Sequence, residues 1–239
     1  MFNTDINFVL PHWLYWGGLF AFPLIYMLIL RLRGGAAPAG DEASPPAGWE
    51  RYKHVLIPTT LYTRWMDRLS HFVGVFVGYW TVIAVFVYFY EVIVRTVFNS
   101  PTNWAHESMF LMFGMQYVLA GAYAYLYDAH VRVDVFYAKA GPRGKAALDI
   151  LTAILFMAFA LAFIWTAWTF FSQSMNQNQF FFARGMSNEV SFTEWAIQYY
   201  PVKFTLVLGG VFLLLQGVSR LVKDIMVFNM LYREAPSHG

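Results

Sequence analysis

The sequence predicts an all-α membrane protein with a four-helix transmembrane core and one extra N-terminal transmembrane helix. Of its 239 residues, 59% are hydrophobic and only 13% are charged, whereas an average soluble domain has about 25% charged residues. Aromatic residues make up 20% of the chain, and Trp and Tyr collect where a membrane meets water. Five apolar stretches come close to the length of about 20 residues that a helix needs to cross a bilayer.

These stretches are the predicted transmembrane helices. The first, which no Lys or Arg precedes, has no small-residue cleavage site before Arg31, so it is predicted to be retained rather than removed as a signal peptide. The last is short, but Lys203 and Arg220 at its ends have stems long enough to reach the membrane interface. The five predicted helices span residues 13–30, 72–90, 108–127, 150–171 and 204–219.

The basic residues predict an orientation. Thirteen of the 16 Lys and Arg residues lie between the first and second helices, between the third and fourth, or after the fifth. Only Arg95, Arg184 and Lys203 lie on the other side. Because positively charged loops stay in the cytoplasm, the N-terminus is predicted outside and the C-terminus in the cytoplasm.

The composition also divides the chain. Residues 1–33 hold the extra helix, residues 34–59 form a predicted flexible cytoplasmic linker that begins "GGAAPAGDEASPPAG", residues 60–228 form the four-helix domain, and residues 229–239 form a cytoplasmic tail. The segment "LYTRWMDRLSHF", residues 61–72, has two interpretations. It is either an amphipathic helix lying in the cytoplasmic interface or an N-terminal extension of the second transmembrane helix.

Several kinds of chemistry are excluded or unsupported. The chain has no Cys, which excludes disulfides, thiolate zinc sites and iron–sulfur clusters. A net charge of +2 is too small to indicate a nucleic-acid partner. No Walker loop or G-x-S-x-G is present, and the adjacent His106 and Glu107 lack the second His of a zinc protease. Neither a catalytic nor a metal site is predicted, and the chain is not expected to be an enzyme.

Two other functions remain open at this point. His71 and His130 lie at the cytoplasmic ends of the second and third helices, where two His residues on facing helices could ligate haem b in the membrane anchor of an electron-transfer complex. A free-standing small transporter is the other alternative. The sequence offers neither two matching halves nor a pair of broken helices, which a secondary transporter should show.

Glu91 and Arg95 stand four residues apart near the outer end of the second helix, so they can pair on one face. Such a pair either seals the helix end or holds a partner subunit.

The segments around the third helix resemble the DctQ-like small membrane subunit of tripartite ATP-independent periplasmic (TRAP) transporters. "RTVFNSPTNWAHE" precedes the helix and "AHVRVD" closes it, and "EVSFTEWAIQYYPVKFTLVLGG" is similar to the family's entry into its last helix. The resemblance covers about residues 65–225, but not the N-terminal helix and linker. The residues that carry it are Arg95, Phe98, Asn99, Trp104, Glu107, His130, Asp134, Glu189, Ser191, Pro201, Lys203 and Gly209.

This resemblance implies a scaffold in the bacterial inner membrane, with no cofactor of its own. Its expected partners are the lipid bilayer, a large elevator-type membrane subunit and a periplasmic binding protein that delivers an organic acid, with an ion gradient driving uptake by symport. Trp104 and Glu107 are expected to define the outer end of the third helix, His130 and Asp134 its inner end, and Lys203 to anchor the last helix. Arg184, Glu189 and Glu194 are candidate contacts for the binding protein.

Overall fold

The computed structural model describes residues 8–33, 60–129, 137–175 and 188–233, and most of them are helical. Outside the helices these residues form only an isolated antiparallel bridge between Val190 and Gln198. The predicted linker and the end of the predicted tail lie outside the described residues. The helices are α1 (His12–Leu32), α2 (Leu61–Gly78), α3 (Trp80–Val97), α4 (Asn103–Leu126), α5 (Pro142–Met175) and α6 (Tyr200–Arg233).

Within the described residues, five helical spans are long and apolar enough to cross a membrane. The second of them, Leu61–Val97, joins α2 and α3 across a single turn residue, Tyr79. Thr60 caps its beginning by accepting a hydrogen bond from the backbone N–H of Thr63 at 3.2 Å. Residues 61–72 are therefore helical and continuous with the second predicted transmembrane helix, and their place relative to the cytoplasmic interface stays a prediction.

The predicted length of the last helix was wrong. α6 has 34 residues and continues at both ends beyond residues 204–219. Lys203 and Arg220 do not end it, because each lies inside the bundle next to acidic partners, with only 12% and 10% of its side chain exposed. α5 likewise has 34 residues, more than the predicted residues 150–171.

α5 and α6 pack along most of their length. The buried face of α5 carries small residues at intervals of seven, which lets two helices approach closely. On α6, Gly209 lies so close to α4 that an added Cβ would come within 2.4 Å of a Val118 methyl group. The buried small residues of α5 are Ala146, Ala153, Ala160, Ala167 and Ser174.

α1 packs against the rest of the bundle and does not stand apart from it. The indole N–H of Trp80 donates to the Leu19 carbonyl at 2.8 Å, and the rings of Tyr26 and Tyr79 lie 4.9 Å apart. Tyr15 and Leu19 belong to the same buried cluster as the Met residues of α4. The extra helix is therefore part of one hydrophobic core.

Candidate functional site

One end of the bundle is organised around Glu107, in the first turns of α4. One carboxylate oxygen accepts a hydrogen bond from the Tyr199 hydroxyl at 3.0 Å, and the other accepts from the Thr193 hydroxyl. Burial, together with the neighbouring Glu107, raises the pKa of Tyr199, so that its hydroxyl remains a donor. Glu107 thereby ties α4 to the segment 188–199, which leads into α6.

The segment 188–199 folds back on itself. The Ser191 N–H donates to the Ile197 carbonyl at 2.8 Å, and the Tyr199 N–H donates to the Glu189 carbonyl at 3.1 Å. Ala196 adopts a left-handed φ of 48° at the turn. Trp195 and Ile197 are buried, which makes this segment a cap on the helix ends.

The beginning of α1 holds the same cap. The Trp195 indole N–H donates to the Leu10 carbonyl at 2.7 Å, and Nε2 of His12 lies 2.7 Å from the Trp195 carbonyl oxygen. Tyr15 donates from its hydroxyl to the Ser108 carbonyl of α4 at 3.0 Å. Together, Glu107, Thr193, Trp195, Tyr199 and the α1 residues that bind them are called the Glu107 cluster below.

Lys203 forms an ion pair with Glu189 across the entry to α6. The Lys203 ammonium also lies 3.8 Å from the centre of the Phe170 ring of α5, a cation–π contact. Lys203 therefore joins α5, α6 and the cap.

Glu91 and Arg95 form the predicted pair, with Arg95 Nη2 2.8 Å from Glu91 Oε1. The Glu91 side chain is 7% exposed and that of Arg95 60% exposed. Glu91 also accepts from the backbone N–H of Thr102, at 3.3 Å, and from its hydroxyl. The carboxylate thus connects the end of α3 to the beginning of α4.

Trp104 is buried at the same end, between the rings of Phe8 and Tyr90. Its indole N–H has no hydrogen-bond acceptor among the residues that the structure describes. Trp104 therefore holds the beginning of α4 by ring packing.

The opposite end of the bundle carries a second polar network, the Arg220 cluster, which connects α2, α4 and α6. Arg220 Nη1 lies 2.7 Å from Asp128 Oδ1, and its Nε lies 3.6 Å from Asp224. Lys223 pairs with Asp67 at 2.6 Å. Gln216 donates to Asp67 at 3.1 Å and accepts from Ser70 at 2.8 Å.

The family comparison assigns the chain. The sequence profile described as "Tripartite ATP-independent periplasmic transporters, DctQ component" matches residues 84–226, more than half of the 239 residues. The chain belongs to the DctQ family. Comparison with curated proteins gives no match.

DctQ membership makes the chain a small subunit of a TRAP transporter, with partner subunits. It is a multi-pass membrane protein of a transporter-component family, not of an enzyme family. The predicted resemblance to this family is therefore confirmed. The match begins at residue 84, within α3, and so leaves out α1 and α2.

The DctQ match does not favour the haem alternative. Its first proposed ligand, His71, lies with Nδ1 2.9 Å from the Tyr127 hydroxyl. Burial, and then the nearby Tyr123 and Asp67, raise the pKa of Tyr127, so this hydroxyl stays protonated. The second proposed ligand, His130, lies outside the described residues.

Some of the site residues predicted from the DctQ pattern lie in hydrogen-bond or ion-pair networks, and others lie outside the described residues. Glu107 and Lys203 lie in connected networks at one end, with Glu189 as the partner of Lys203. Glu194 is exposed on the cap. Arg184, His130 and Asp134 lie outside the described residues, and the functional roles assigned to all these residues stay predictions.

The sequence analysis missed the Arg220 cluster because it placed Arg220 at the membrane interface, at the end of the last helix, and counted Lys223 only as a positive charge for orientation. One signal was available in the last helix. Gln216, Arg220 and Lys223 recur at helical spacing on one face, and a polar face at the end of an apolar helix indicates polar partners on its neighbours.

Proposed function

We propose that the chain is the stationary scaffold of its TRAP transporter and braces a large elevator-type membrane subunit. The observation that supports this proposal is the pair of polar networks that join the helices to one another at the two ends of the bundle. The Glu107 cluster connects α1, α4 and the cap of α6, and the Arg220 cluster connects α2, α4 and α6. Helices fixed to each other at both ends resist relative displacement, as a brace must.

The Glu107 cluster also supports a docking role for this end. Next to the buried Trp195, the cap exposes Glu194 and a Phe192 side chain that is 73% exposed. Exposed charge steers the encounter between proteins, and an exposed ring offers apolar contact area. We assign this surface to the periplasmic binding protein, with Glu189 and Arg184 as further candidate contacts.

The remaining features of the proposal follow from the charge distribution and the family. With 13 of 16 basic residues on one side, the N-terminus lies in the periplasm and the C-terminus in the cytoplasm. The membrane is the bacterial inner membrane, the cargo is an organic acid, and an ion gradient drives uptake through the large subunit.

Affinity purification of the tagged chain from its native membrane tests the proposal. A scaffold subunit is expected to bring down one much larger multi-helix membrane protein in stoichiometric amount. Liposomes that hold this chain alone are expected to show no ion-dependent uptake. Purification without such a partner, or uptake by the chain alone, would contradict the scaffold role.

A further inference from the structure

Four exposed arginines lie on two helices at the end of the bundle that holds the Arg220 cluster. Arg31 lies in the last turn of α1, and Arg33 directly follows the helix. Arg64 and Arg68 lie near the beginning of α2. All four residues are exposed, and none of them has an acidic partner among the residues that the structure describes.

α1 and α2 bring these arginines to the same end of the bundle. α1 begins at the Glu107 cluster, where His12 contacts the cap, and therefore ends at the opposite side. α2 begins on that opposite side, because its Asp67 pairs with Lys223 in the Arg220 cluster. The two helices are in contact, with the Phe20 and Phe76 rings 6.2 Å apart. The arginines thus lie on neighbouring helices at one membrane surface.

The carboxylates described at this end do not neutralise the arginines, because each of them already has another partner. These pairs are Asp67 with Lys223, Asp128 and Asp224 with Arg220, and Asp149 with the Tyr137 hydroxyl. The four arginines therefore form a positively charged surface without a counter-charge from the described residues. Such a surface attracts anions.

The positions of the arginines along their helices match the level of lipid headgroups. Arg68 and Arg64 precede the apolar stretch that begins at residue 72 by four and eight residues, or roughly 6 and 12 Å along the helix axis. The headgroup layer occupies about 5–8 Å on each side of the hydrocarbon. Arg31 and Arg33 directly follow the first apolar stretch, which ends at residue 30.

The surface next to the arginines suits the rest of a lipid molecule. Trp65, which is 60% exposed, stands between Arg64 and Arg68 in the sequence, and Trp is typical of the boundary between headgroups and hydrocarbon. Further along α1, toward the middle of the membrane, the exposed side chains are apolar and suit acyl chains; they include Leu24, Ile25, Leu28 and Ile29. We call the surface of Arg31, Arg33, Arg64, Trp65 and Arg68 the arginine patch.

We propose that the arginine patch binds the headgroup of an anionic phospholipid. Guanidinium groups donate paired hydrogen bonds to phosphate oxygens, and basic groups between transmembrane helices are typical headgroup sites. Phosphatidylcholine has the same phosphate but also a choline cation, which the arginines repel, so the patch prefers a lipid with net negative charge. The patch lies outside residues 84–226, the part that matches the DctQ family, and the proposal does not depend on the scaffold function.

Native mass spectrometry of the purified full-length chain tests the proposal. The chain is titrated with phosphatidylglycerol or with phosphatidylcholine, and the wild type is expected to bind phosphatidylglycerol more tightly. The double variant Arg64→Gln and Arg68→Gln is expected to bind phosphatidylglycerol roughly 25-fold more weakly, about fivefold for each arginine removed. Both residues are exposed and lack a described partner, so the variant should keep the wild-type thermal stability. Arg31→Gln with Arg33→Gln, on the other helix, is expected to give a similar loss.

Lys139→Gln with Arg143→Gln is the matched control, because it removes two exposed positive charges around the beginning of α5. This control is expected to change the affinity for phosphatidylglycerol no more than about twofold, since it leaves the arginine patch intact. Equal loss in the control and the patch variants would show general attraction to positive charge and would overturn the proposal. Displacement of phosphatidylglycerol by an equal concentration of inorganic phosphate would overturn it too, because the site would then bind a free anion.

Photocrosslinking in native membranes separates a lipid from a protein partner. A photoreactive phenylalanine derivative is placed at Trp65 and, as the control, at Leu151, which is 53% exposed near the beginning of α5. Lipid adducts from position 65 are expected to be enriched in anionic phospholipid relative to those from position 151. Adducts from position 65 that contain only protein, or the same lipid mixture as position 151, would contradict the proposal.

Discussion

At the scale of single residues, left-handed backbone positions mark the connections between helices. Asn99, Asp128 and Ala196 have φ values of 50°, 55° and 48°. Asp128 follows α4, where its N–H donates to the Tyr125 carbonyl at 3.4 Å and the next N–H, of Ala129, donates to Ala124 at 2.9 Å. This is the Schellman arrangement, whose left-handed position usually holds Gly. Here Asp128 occupies it and contributes its carboxylate to Arg220.

Substitutions at Asp128 separate backbone strain from charge pairing. Asp128→Ala is expected to be the most destabilising, because it keeps the left-handed strain of about 1 kcal/mol and also leaves a buried guanidinium with one partner fewer. Asp128→Asn, which tolerates the conformation and keeps an acceptor, should lose less. Thermal unfolding in detergent measures the order, and an Ala variant as stable as the Asn variant would contradict it.

Ala196 offers a stabilising change. Its φ of 48° is unfavourable for Ala but easy for Gly, so Ala196→Gly should raise stability by roughly 0.5–1 kcal/mol after the greater freedom of Gly in the unfolded chain is counted. The exposed helical residue Ala162 is the matched control, because Gly there should cost about 1 kcal/mol. A loss of stability in both variants would show that Ala196 is not strained.

Glu107 accepts hydrogen bonds from two hydroxyl groups of the cap, residues 188–199. Replacing Glu107 should therefore make this segment more mobile. Glu107→Leu leaves the hydroxyls of the half-buried Tyr199 and the exposed Thr193 without their acceptor, at a cost of about 1 kcal/mol, the usual net contribution of one hydrogen bond. Glu107→Gln keeps an acceptor oxygen and is the control. Limited proteolysis within residues 188–199 should be faster in the Leu variant, and equal cleavage of both variants would contradict the role of Glu107.

At the scale of elements, hydropathy predicted which segments span but not where their helices end. The five apolar stretches all lie within the observed spans or reach them within one residue. The sequence predicts helix ends at Lys203 and Arg220, because it shows the charge of these residues but not the acidic groups that pair with them. The acidic residues that neutralise Arg220 include Asp128, from the turn after α4, and α6 continues past the predicted end.

The contact between α4 and α6 depends on a glycine. A Cβ at Gly209 would lie 2.4 Å from a Val118 methyl and 2.9 Å from the Val118 carbonyl oxygen, so Gly209→Ala should cost roughly 1–3 kcal/mol, as overpacking does. Gly114→Ala, with open space around it, is the control and should be neutral or slightly stabilising. Thermal unfolding of the isolated chain compares them; a neutral Gly209→Ala would disprove the close approach.

At the scale of the whole molecule, a polar pair could be predicted only where its two residues lie close together in the sequence. Glu91 and Arg95 were recognised as a pair because they lie four residues apart in one helix. The bonds from Glu107 to Tyr199 and from Lys223 to Asp67 join residues 92 and 156 positions apart. No local pattern specifies such pairs, because they form only when the helices pack.

The orientation can be tested directly, because the chain has no Cys of its own. A single Cys is introduced at the exposed Glu194 or at Tyr232, which is 71% exposed. A membrane-impermeant maleimide should label position 194 in spheroplasts, and position 232 only after the membrane is opened. The reverse labelling would show that the N-terminus faces the cytoplasm.

The most direct test of the passive scaffold is native mass spectrometry of the complex purified through this chain. We expect one copy of the 27.6 kDa chain bound to one larger membrane subunit, with no mass from a prosthetic group on the small chain. A complex made only of copies of this chain, or a haem that stays with it after the larger subunit dissociates, would contradict the account.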